Sequence, residues 1–428
     1  STRKESSAAS DVYKRQTLFG GSAWERVTEA DGRPGQWYLH LFAPEQPDWN
    51  WENPQVVEFF DQVLRFWFDR GVDGFRIDVA DAMFKDPALP DTPIDPHTGL
   101  GTCEKLEDSP MWDRHGMEEL QRRWRRIGDE YADTEQGPRI FVAEAYLPND
   151  RRIHYVSPGR LHQSFNFEFL ETAWQPESLR LVITHSLELH QGVNTSPTWV
   201  SQNHDVPRAA TRLGKSTTGI DFTQDGSKDS TFLWHEMSQL TTDLELGGRR
   251  ARAMAMLMLA LPGGCYVYQG EELGLEEVED LPEEALQDPK WERSGHVERG
   301  RDGCRVPIPW SGDEPPYGFS SSTRTWLPQP KHWGPLTVAA QTGDPDSMLE
   351  LYRSLLAHRR THPALGGSDF SWDQTSPEVL SFTRGPGFRC VVNLGKEPCP
   401  VTGDIIIASG PLTSEGLLPR DVAVWLRV

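Results

Sequence analysis

The chain has 428 residues and a formal net charge of −21 at pH 7, from 43 Lys or Arg and 64 Asp or Glu residues. This length can build a large core and more than one domain. The negative charge argues against a nucleic-acid backbone or an anionic membrane as the binding partner.

The apolar and cysteine residues are typical of a reduced, globular protein. The longest apolar run, at 251–264, is too short for a membrane span and ends in Pro-Gly-Gly, so it predicts a buried helix. The cysteines are odd in number, widely scattered and without metal-ligand spacing, which favours free thiols in a cytosolic protein. They are Cys103, Cys265, Cys304, Cys390 and Cys399. We therefore expect a cytoplasmic protein with no metal bound by these residues.

The two ends of the chain differ. Residues 1–16 show neither a helical nor a strand period and look like a tag or a translated adapter, so we exclude them from the predicted fold. At the other end, Val422, Val424, Leu426 and Val428 alternate with period two, as in a final strand. The sequence thus predicts a chain that is intact at its C-terminus and cut at its N-terminus.

Predicted strands and helices alternate through the rest of the chain. The strands lie within 71–83, 139–146, 162–171, 198–205 and 265–274, and the helices within 53–71, 115–132, 177–190, 249–261 and 346–365. Strict alternation predicts a parallel sheet, and the length favours a TIM-type (β/α)8 barrel of the α/β class. We predict a catalytic barrel at 17–365, followed by a small antiparallel β domain at 366–428.

Three of the predicted strands end in a carboxylate: Asp78, Glu144 and Asp205. Active sites of parallel α/β barrels are built at the C-terminal ends of several strands. A single carboxylate there is more often a helix cap or a loop hydrogen bond, but that explanation fits three strands poorly. Two carboxylates about 5–5.5 Å apart are what a retaining glycosidase needs.

Arg76 lies two residues before Asp78 on the first of these strands. Side chains alternate along a strand, so the two residues share one face, while Phe75, Ile77 and Val79 point to the other. This polar pair is either a structural ion pair or part of a site.

The residues around these carboxylates resemble the α-amylase family of glycoside hydrolases (glycoside hydrolase family 13). "GFRIDVA" around Asp78, "VAEAY" around Glu144 and "QNHD" around Asp205 are similar to its second, third and fourth signature regions. Three further segments resemble the oligo-1,6-glucosidase and α-glucosidase branch of the family. They are "QPDWN" (46–50), which is similar to the marker "QPDLN", "YQGEELGL" (268–275) and "GRDGCRVPIPW" (300–310).

The resemblance, which runs from about residue 17 to 428, implies catalytic roles. Asp78 would be the nucleophile that forms a glycosyl–enzyme intermediate, and Arg76 would keep it ionised and oriented. Glu144 would be the general acid and then the general base, in an apolar pocket that keeps it protonated. Asp205 would bind sugar hydroxyls, and His204 would donate a hydrogen bond to the same sugar. The other interpretation of His204 is a core histidine bonded to a backbone carbonyl.

Two other residues bear on specificity. In this branch the arginine that corresponds to Arg301 helps close the pocket around the non-reducing glucose, which implies an exo-acting enzyme; the alternative is a solvated surface arginine. Val79 resembles α-1,6-acting members, and one side chain shifts such a preference by about 1–3 kcal/mol. We therefore expect both α-1,4 and α-1,6 linkages to be accepted. Glu272 is predicted to support the last barrel strand.

The first signature region of the family should precede "FGGSAW" (19–24), and the sequence shows no such motif there. The resemblance therefore implies that the first three barrel strands, a sugar-site histidine, the aspartate that would pair with Arg301 and any calcium loop are missing. A barrel without these strands would have two edge strands whose backbone N–H and C=O groups are unpaired, which is unfavourable. We expect the native gene to encode an active enzyme and this polypeptide to be impaired in stability or activity.

The resulting hypothesis is a retaining, exo-acting α-glucosidase that hydrolyses short malto- or isomalto-oligosaccharides by double displacement and needs no cofactor. A trehalose synthase or transglucosidase uses the same carboxylates but excludes water, and motifs do not separate these alternatives. An inactive fragment or silent scaffold is the alternative from another class, although scaffold relatives usually lose the carboxylates. A plain sugar-binding module would need no acid/base pair. The sequence leaves the oligomeric state open.

Overall fold

A computed structural model describes residues 17–90, 109–135, 137–224 and 230–428, with only the backbone described at 230–233. These residues form two compact units, which we describe one at a time. Unit 1 takes the described residues up to Phe165 together with Gln287–Gly300. Unit 2 takes Asn166–Leu286 and Arg301–Val428. The predicted leader, 1–16, lies outside the described residues.

Strands and helices alternate over most of the described chain. The strands are β1 (Trp24–Thr28), β2 (Pro34–Leu39), β3 (Gly74–Ile77), β4 (Ile140–Ala143), β5 (Gln163–Asn166), β6 (Thr198–Val200), β7 (Gly264–Tyr266), β8 (Ser371–Trp372), β9 (Val379–Arg384), β10 (Phe388–Asn393), β11 (Asp404–Ala408) and β12 (Val422–Arg427). The helices are α1 (Pro54–Phe68), α2 (Met117–Asp129), α3 (Asn149–Arg152), α4 (Phe167–Glu171), α5 (Pro176–Gly192), α6 (Ala209–Arg212), α7 (Ser230–Ser238), α8 (Leu244–Ala260), α9 (Pro289–Arg293), α10 (Val338–Gln341) and α11 (Met348–Thr361).

Short 3₁₀ turns lie between some of these elements. They are Ile153–Val156, Glu271–Leu273, Glu283–Ala285, Asp302–Arg305, Lys331–Leu336 and Pro363–Leu365.

Helix α1 shows why the predicted helices form. The Asn53 side chain accepts a hydrogen bond from the Gln55 N–H and so caps the first turn. Apolar residues at helical spacing bury Leu64 and Phe68 against the unit 1 core. The chain leaves the helix through Gly71, whose φ of 91° lies in the left-handed region. The helix predicted at 53–71 is thereby confirmed, with observed bounds of Pro54–Phe68.

In unit 1 the strands β3, β4 and β5 pair in parallel, in that order. Ile77 of β3 lies opposite Ala143 of β4, and Ala143 lies opposite Ser164 of β5. Helix α2 connects β3 to β4 and buries Trp124 and Ile127 in the core that also holds strand residues. Parallel strands with a helix between them are the predicted α/β arrangement. The register brings the ends of β3 and β4 side by side, and this decides the site.

In unit 2 the strands β6 and β7 also pair in parallel, with Thr198 opposite Gly264. The apolar helix predicted at 249–261 is confirmed as α8, in which every residue from 253 to 260 is buried. Closure of the sheet into a barrel, the loss of its first strands and the domain boundary after residue 365 stay predictions. Among the described residues, no helix is long and apolar enough to cross a bilayer.

The predicted C-terminal antiparallel sheet is confirmed, with strand order β11-β12-β10-β9-β8. Both faces of β12 are buried. Ala423 and Trp425 lie in the cluster that contains α8, while Val422, Val424 and Leu426 lie in a second cluster on the other face. The period-two pattern in the sequence identified the strand, and the structure shows that both of its faces are covered.

The observed strands are shorter than the predicted segments, and three of the segments show where the chain leaves the strand. The segment 162–171 changes to helix after β5, because the Asn166 side chain accepts the Phe169 N–H at 3.1 Å and caps α4. The segment 265–274 leaves β7 after Tyr266 and enters a 3₁₀ turn at Gly270, whose φ is 84°. The segment 198–205 ends its strand at Val200, so its polar residues lie in a loop.

Replacing Trp425 with Ala tests the packing of the C-terminal sheet on α8. The buried indole fills the core, and its Nε1–H donates to the Met256 carbonyl at 3.1 Å. We expect the free energy of unfolding to fall by about 3–5 kcal/mol, measured by chemical denaturation. Trp326→Ala is the matched control, because Trp326 is 74% exposed and its removal should cost less than about 0.5 kcal/mol. Equal losses in the two variants would contradict this packing.

Candidate active site

One arginine bridges two carboxylates at the end of the unit 1 sheet. Arg76 donates from one guanidinium nitrogen to Asp78 Oδ1 at 2.7 Å and from the other to Glu144 Oε2 at 2.8 Å. The two carboxylates come together because each directly follows one of two paired parallel strands, β3 and β4. Of the predicted site residues, Asp78, Glu144 and Arg76 are therefore brought into one group within unit 1.

The two carboxylates differ in their exposure to solvent. The Asp78 side chain is 67% exposed, whereas that of Glu144 is only 7% exposed. Glu144 Oε2 also accepts the Val79 N–H at 3.0 Å. Glu144 is enclosed, as predicted, but the two N–H donors on Oε2 differ from the purely apolar surroundings that the sequence predicted.

The backbone turns sharply after β3, and this turn binds Glu144. Val79 has a φ of 45°, which is costly for a β-branched residue. The turn sends the Val79 N–H to the Glu144 side chain and the Ala80 N–H to the Glu144 carbonyl, at 2.8 Å. The strand alternation expected at Val79 therefore does not hold, because β3 ends at Ile77. Strained backbone of this kind is common at functional sites.

In unit 2, Asp205 is held by two arginines. Its Oδ1 accepts from Arg301 at 2.8 Å and from Arg305 at 3.0 Å. The Nε2 atom of His204 lies 3.2 Å from Asp205 Oδ2. The Asp205 side chain is 18% exposed, so these charged contacts are partly shielded from water. The structure thus places three predicted site residues, His204, Asp205 and Arg301, in one cluster.

Arg301 and Arg305 differ from what the sequence predicted. The partner expected for Arg301 was an aspartate missing from this chain, but the arginine pairs with Asp205. Arg305 was missed altogether. It donates to the His204 carbonyl at 2.8 Å as well as to Asp205, and so orients the whole loop. Arg305 lies in "GRDGCR", four residues after Arg301, and residues four apart lie close together in a helical turn. This spacing could have predicted that Arg305 lies beside Arg301.

The buried glutamate that supports the end of the unit 2 strands is Glu271 and not Glu272. Its carboxylate accepts from the hydroxyls of Ser201 and Tyr352, at 2.7 and 2.6 Å, and from the Tyr268 N–H at 3.1 Å. Burial raises the pKa of this carboxyl. The supporting role that the sequence predicted for Glu272 is therefore carried out by its neighbour Glu271.

The two groups of site residues belong to different units, and each is described within its own unit. That the three carboxylates Asp78, Glu144 and Asp205 converge on one sugar stays a prediction. Within the described ranges, no three His, Cys, Asp or Glu side chains are arranged as metal ligands. Cys103 lies outside those ranges, and the other cysteines carry free thiols.

The same chemical change at Asp78 and Asp205 should have unequal effects on stability. Asp205→Asn leaves two partly buried guanidinium groups without their carboxylate, so we expect a loss of about 1–3 kcal/mol in the free energy of unfolding. Asp78→Asn should change it by less than about 0.5 kcal/mol, because Asp78 is largely exposed. Urea denaturation of both variants measures the difference. A stability loss at Asp78 as large as that at Asp205 would contradict the described burial.

Comparison with known proteins identifies the family. The family described as "Alpha amylase, catalytic domain" matches residues 5–235 and 223–367. A probable α-glucosidase of Rhizobium meliloti is 33% identical over 399 residues, which cover 89% of this chain and 65% of that protein. An oligo-1,6-glucosidase of Parageobacillus thermoglucosidasius is 28% identical over 409 residues, covering 87% of this chain and 64% of that protein. The chain thus spans slightly less than two thirds of these relatives.

Solved structures show the same relationship. The α-glucosyl transfer enzyme XgtA is 29% identical, with a TM-score of 0.72 over 97% of this chain and 74% of its own. A trehalulose synthase, MutB, superimposes with a TM-score of 0.73 over 97% of this chain and 75% of its own, and at 22% identity it supports the fold alone. The chain therefore belongs to the α-amylase family of glycoside hydrolases, family 13, and has that family's TIM-barrel fold with a C-terminal antiparallel sheet.

Proposed function

We propose that this protein is a retaining, exo-acting α-glucosidase that hydrolyses terminal α-1,4 and α-1,6 glucosidic bonds of short malto- or isomalto-oligosaccharides. One observation carries the proposal: Arg76 bridges an exposed carboxylate, Asp78, and a buried one, Glu144. A nucleophile has to reach the substrate, whereas an acid/base group benefits from a water-poor environment. The curated relatives named above, an α-glucosidase and an oligo-1,6-glucosidase, support this substrate class.

In the first step, Asp78 attacks the anomeric carbon of the terminal glucose. Arg76 holds Asp78 Oδ1, so Oδ2 is the oxygen placed to form the new bond. The bond from the anomeric carbon to the glucosidic oxygen breaks as Glu144 donates its proton to that oxygen. The remaining sugar leaves as an alcohol, and the glucose stays attached to Asp78 as an ester. Arg76 also favours the ionised carboxylate that the attack requires.

In the second step, Glu144 acts as the base. It takes a proton from a water molecule, whose oxygen attacks the anomeric carbon and displaces Asp78. Two inversions give a product with the original α configuration. The contacts of Glu144 Oε2 with Arg76 and the Val79 N–H would hold the carboxylate in place between the two steps.

Asp205 and His204 would bind the glucose hydroxyls, while Arg301 would close the site at the non-reducing end. The ion pairs of Arg301 and Arg305 with Asp205 fix the orientation of that carboxylate before substrate arrives. Pre-organised charge of this kind avoids reorganisation during the reaction. The proposal assigns Arg305 a positioning role through Asp205 and the His204 carbonyl.

A transglucosidase is the second candidate function, favoured by the similarity to the α-glucosyl transfer enzyme XgtA. It would form the same ester on Asp78 and pass the glucose to a sugar hydroxyl in place of water. The products separate the two functions, because hydrolysis of maltose yields only glucose, whereas transfer yields trisaccharides or new disaccharides. A trehalose synthase would convert maltose to trehalose with little free glucose.

Glucose release from maltose and isomaltose tests the proposal directly. The chain should release glucose from both, and proton NMR should show the α anomer first, because the mechanism retains configuration. Asp78→Asn should abolish release, and Glu144→Gln should lower kcat/KM by about 10²- to 10⁴-fold. Release of the β anomer first would contradict retention. A folded chain that acts on neither sugar, even when an N-terminal segment carrying the family's first signature region is restored, would contradict the glucosidase assignment. Activity that survives Asp78→Asn would exclude Asp78 as the nucleophile.

Val79→Thr tests the predicted linkage preference. Val79 directly follows the nucleophile, and Thr keeps its β-branched shape, so the left-handed backbone at this residue is disturbed little. We expect the ratio of kcat/KM for isomaltose to that for maltose to fall about tenfold, which corresponds to a change of about 1.4 kcal/mol. An unchanged ratio, or wild-type protein that leaves isomaltose untouched, would contradict the role of Val79.

A further inference from the structure

A second buried carboxyl, Asp81, lies three residues after the proposed nucleophile. Only 1% of Asp81 is exposed, and its Oδ2 has no hydrogen-bond partner among the described residues. The carboxyl accepts from the backbone N–H of Tyr146. Asp81 has no part in the two proposed catalytic steps. Because burying a polar atom without a hydrogen-bond partner is costly, its position in the core indicates another role.

Asp81 connects the two segments that carry the proposed catalytic carboxylates. Its carboxyl meets the N–H of Tyr146, two residues after Glu144. The Ala80 N–H donates to the Glu144 carbonyl at 2.8 Å, and the Val79 N–H donates to the Glu144 side chain at 3.0 Å. Three consecutive residues of the turn therefore bind the segment at 144–146. The Asp81 carboxyl is the side-chain member of this set and the one that a point substitution can remove.

The charged groups around Asp81 offer it no counter-ion in the described part of the chain. Two carboxylates, Glu144 and Asp113, act on it, and both oppose its ionisation. The cations of this region donate elsewhere: Arg76 to Asp78 and Glu144, and Arg151 to Asp113.

The Tyr155 hydroxyl donates to Asp113 Oδ1 at 2.8 Å, and Arg160 donates to the Gln121 side chain at 2.7 Å. Neither group therefore supplies Asp81 with a positive charge or a donor. Burying an anion without a cation is far more costly than burying a neutral carboxyl.

We propose that Asp81 is a positioning residue for the acid/base step: as a neutral carboxyl it holds the backbone at Tyr146, and so aims Glu144 at the glucosidic oxygen. This inference rests on the proposed glucosidase function. Burial raises the pKa of Asp81 to about 8, and Glu144 and Asp113 add to the rise while the Tyr146 N–H opposes it; the balance agrees with a neutral group at pH 7. The role is distinct from catalysis itself, because Asp81 acts through the segment that carries Glu144.

Substrates that differ in their leaving group separate this role from general damage. The glucose that leaves maltose needs a proton on its oxygen, whereas the dinitrophenolate of a dinitrophenyl α-glucoside leaves as a stable anion without one. Asp81→Ala should therefore lower kcat/KM for maltose about 10- to 100-fold and change kcat/KM for the dinitrophenyl glucoside less than threefold. Asp81→Asn, which keeps the acceptor for the Tyr146 N–H without a charge, should stay within threefold of wild type on both. Glu144→Gln is the reference that shows the full leaving-group effect.

Each outcome decides one part of the proposal. Equal losses on both substrates, or no loss, in Asp81→Ala would overturn the positioning role. Asp81→Asn as impaired as Asp81→Ala would overturn the neutral carboxyl. A wild-type chain that stays inactive on both substrates with the family's first signature region restored at its N-terminus would overturn the glucosidase function, and with it the need for such a role. Wild-type activity with an unaffected Asp81→Ala overturns this inference alone, so the two failures are distinguishable.

Thermal unfolding tests the neutral carboxyl even if Asp81→Ala fails to fold. The pKa of Asp81 rises from an ordinary value of 3.8 to about 8 on folding, so between these pH values the folded chain keeps a proton that the unfolded chain loses. The contribution of Asp81 to stability is therefore present below about pH 4 and is lost as pH rises through 8. Because Asn does not titrate, the Tm of Asp81→Asn minus that of wild type should increase from pH 5 to pH 8. A difference that is flat or decreases would overturn the proposal.

Discussion

The candidate site depends on one guanidinium placed between two carboxylates. Asp78 and Glu144 directly follow two paired parallel strands, so the sheet register brings two carboxyl groups together. Arg76 lies on β3, two residues before Asp78, and donates to both carboxyl groups, which stabilises their close approach. A shift of one residue in the register would turn these side chains to the opposite face. The chemistry of unit 1 therefore depends on how β3 pairs with β4.

Environment assigns different tasks to chemically similar side chains. Asp78, the proposed nucleophile, is open to solvent and ion-paired, while Glu144 is enclosed and held by Arg76 and a backbone N–H. Asp81, a few residues further on, is buried without a counter-ion, and burial raises its pKa to about 8. In unit 2, the Oδ1 atom of Asp205 accepts hydrogen bonds from two arginines. Solvation and neighbouring charge, more than residue type, decide how these carboxyl groups differ in exposure, pairing and pKa.

The fold was predicted well where the sequence pattern is long and periodic. The helices α1 and α8 and the antiparallel C-terminal sheet appear where apolar spacing placed them. Strand ends were predicted less well, since Asn166 caps a helix inside a segment that looked extended throughout. The final strand also has two buried faces, because α8 covers one of them. Alternation along a strand cannot show that a distant helix will cover its second face.

The sequence by itself determined the family, the three candidate carboxylates and the pairing of Arg76 with Asp78, because that pair is only two residues apart. Only the tertiary structure decided that Arg76 also binds Glu144 and that the Val79 N–H reaches the same carboxylate across 65 residues. The ion pair between Asp205 and Arg301, 96 residues apart, likewise required the folded chain. Local spacing predicts which neighbours can meet, whereas burial and long-range pairing depend on how the whole chain packs.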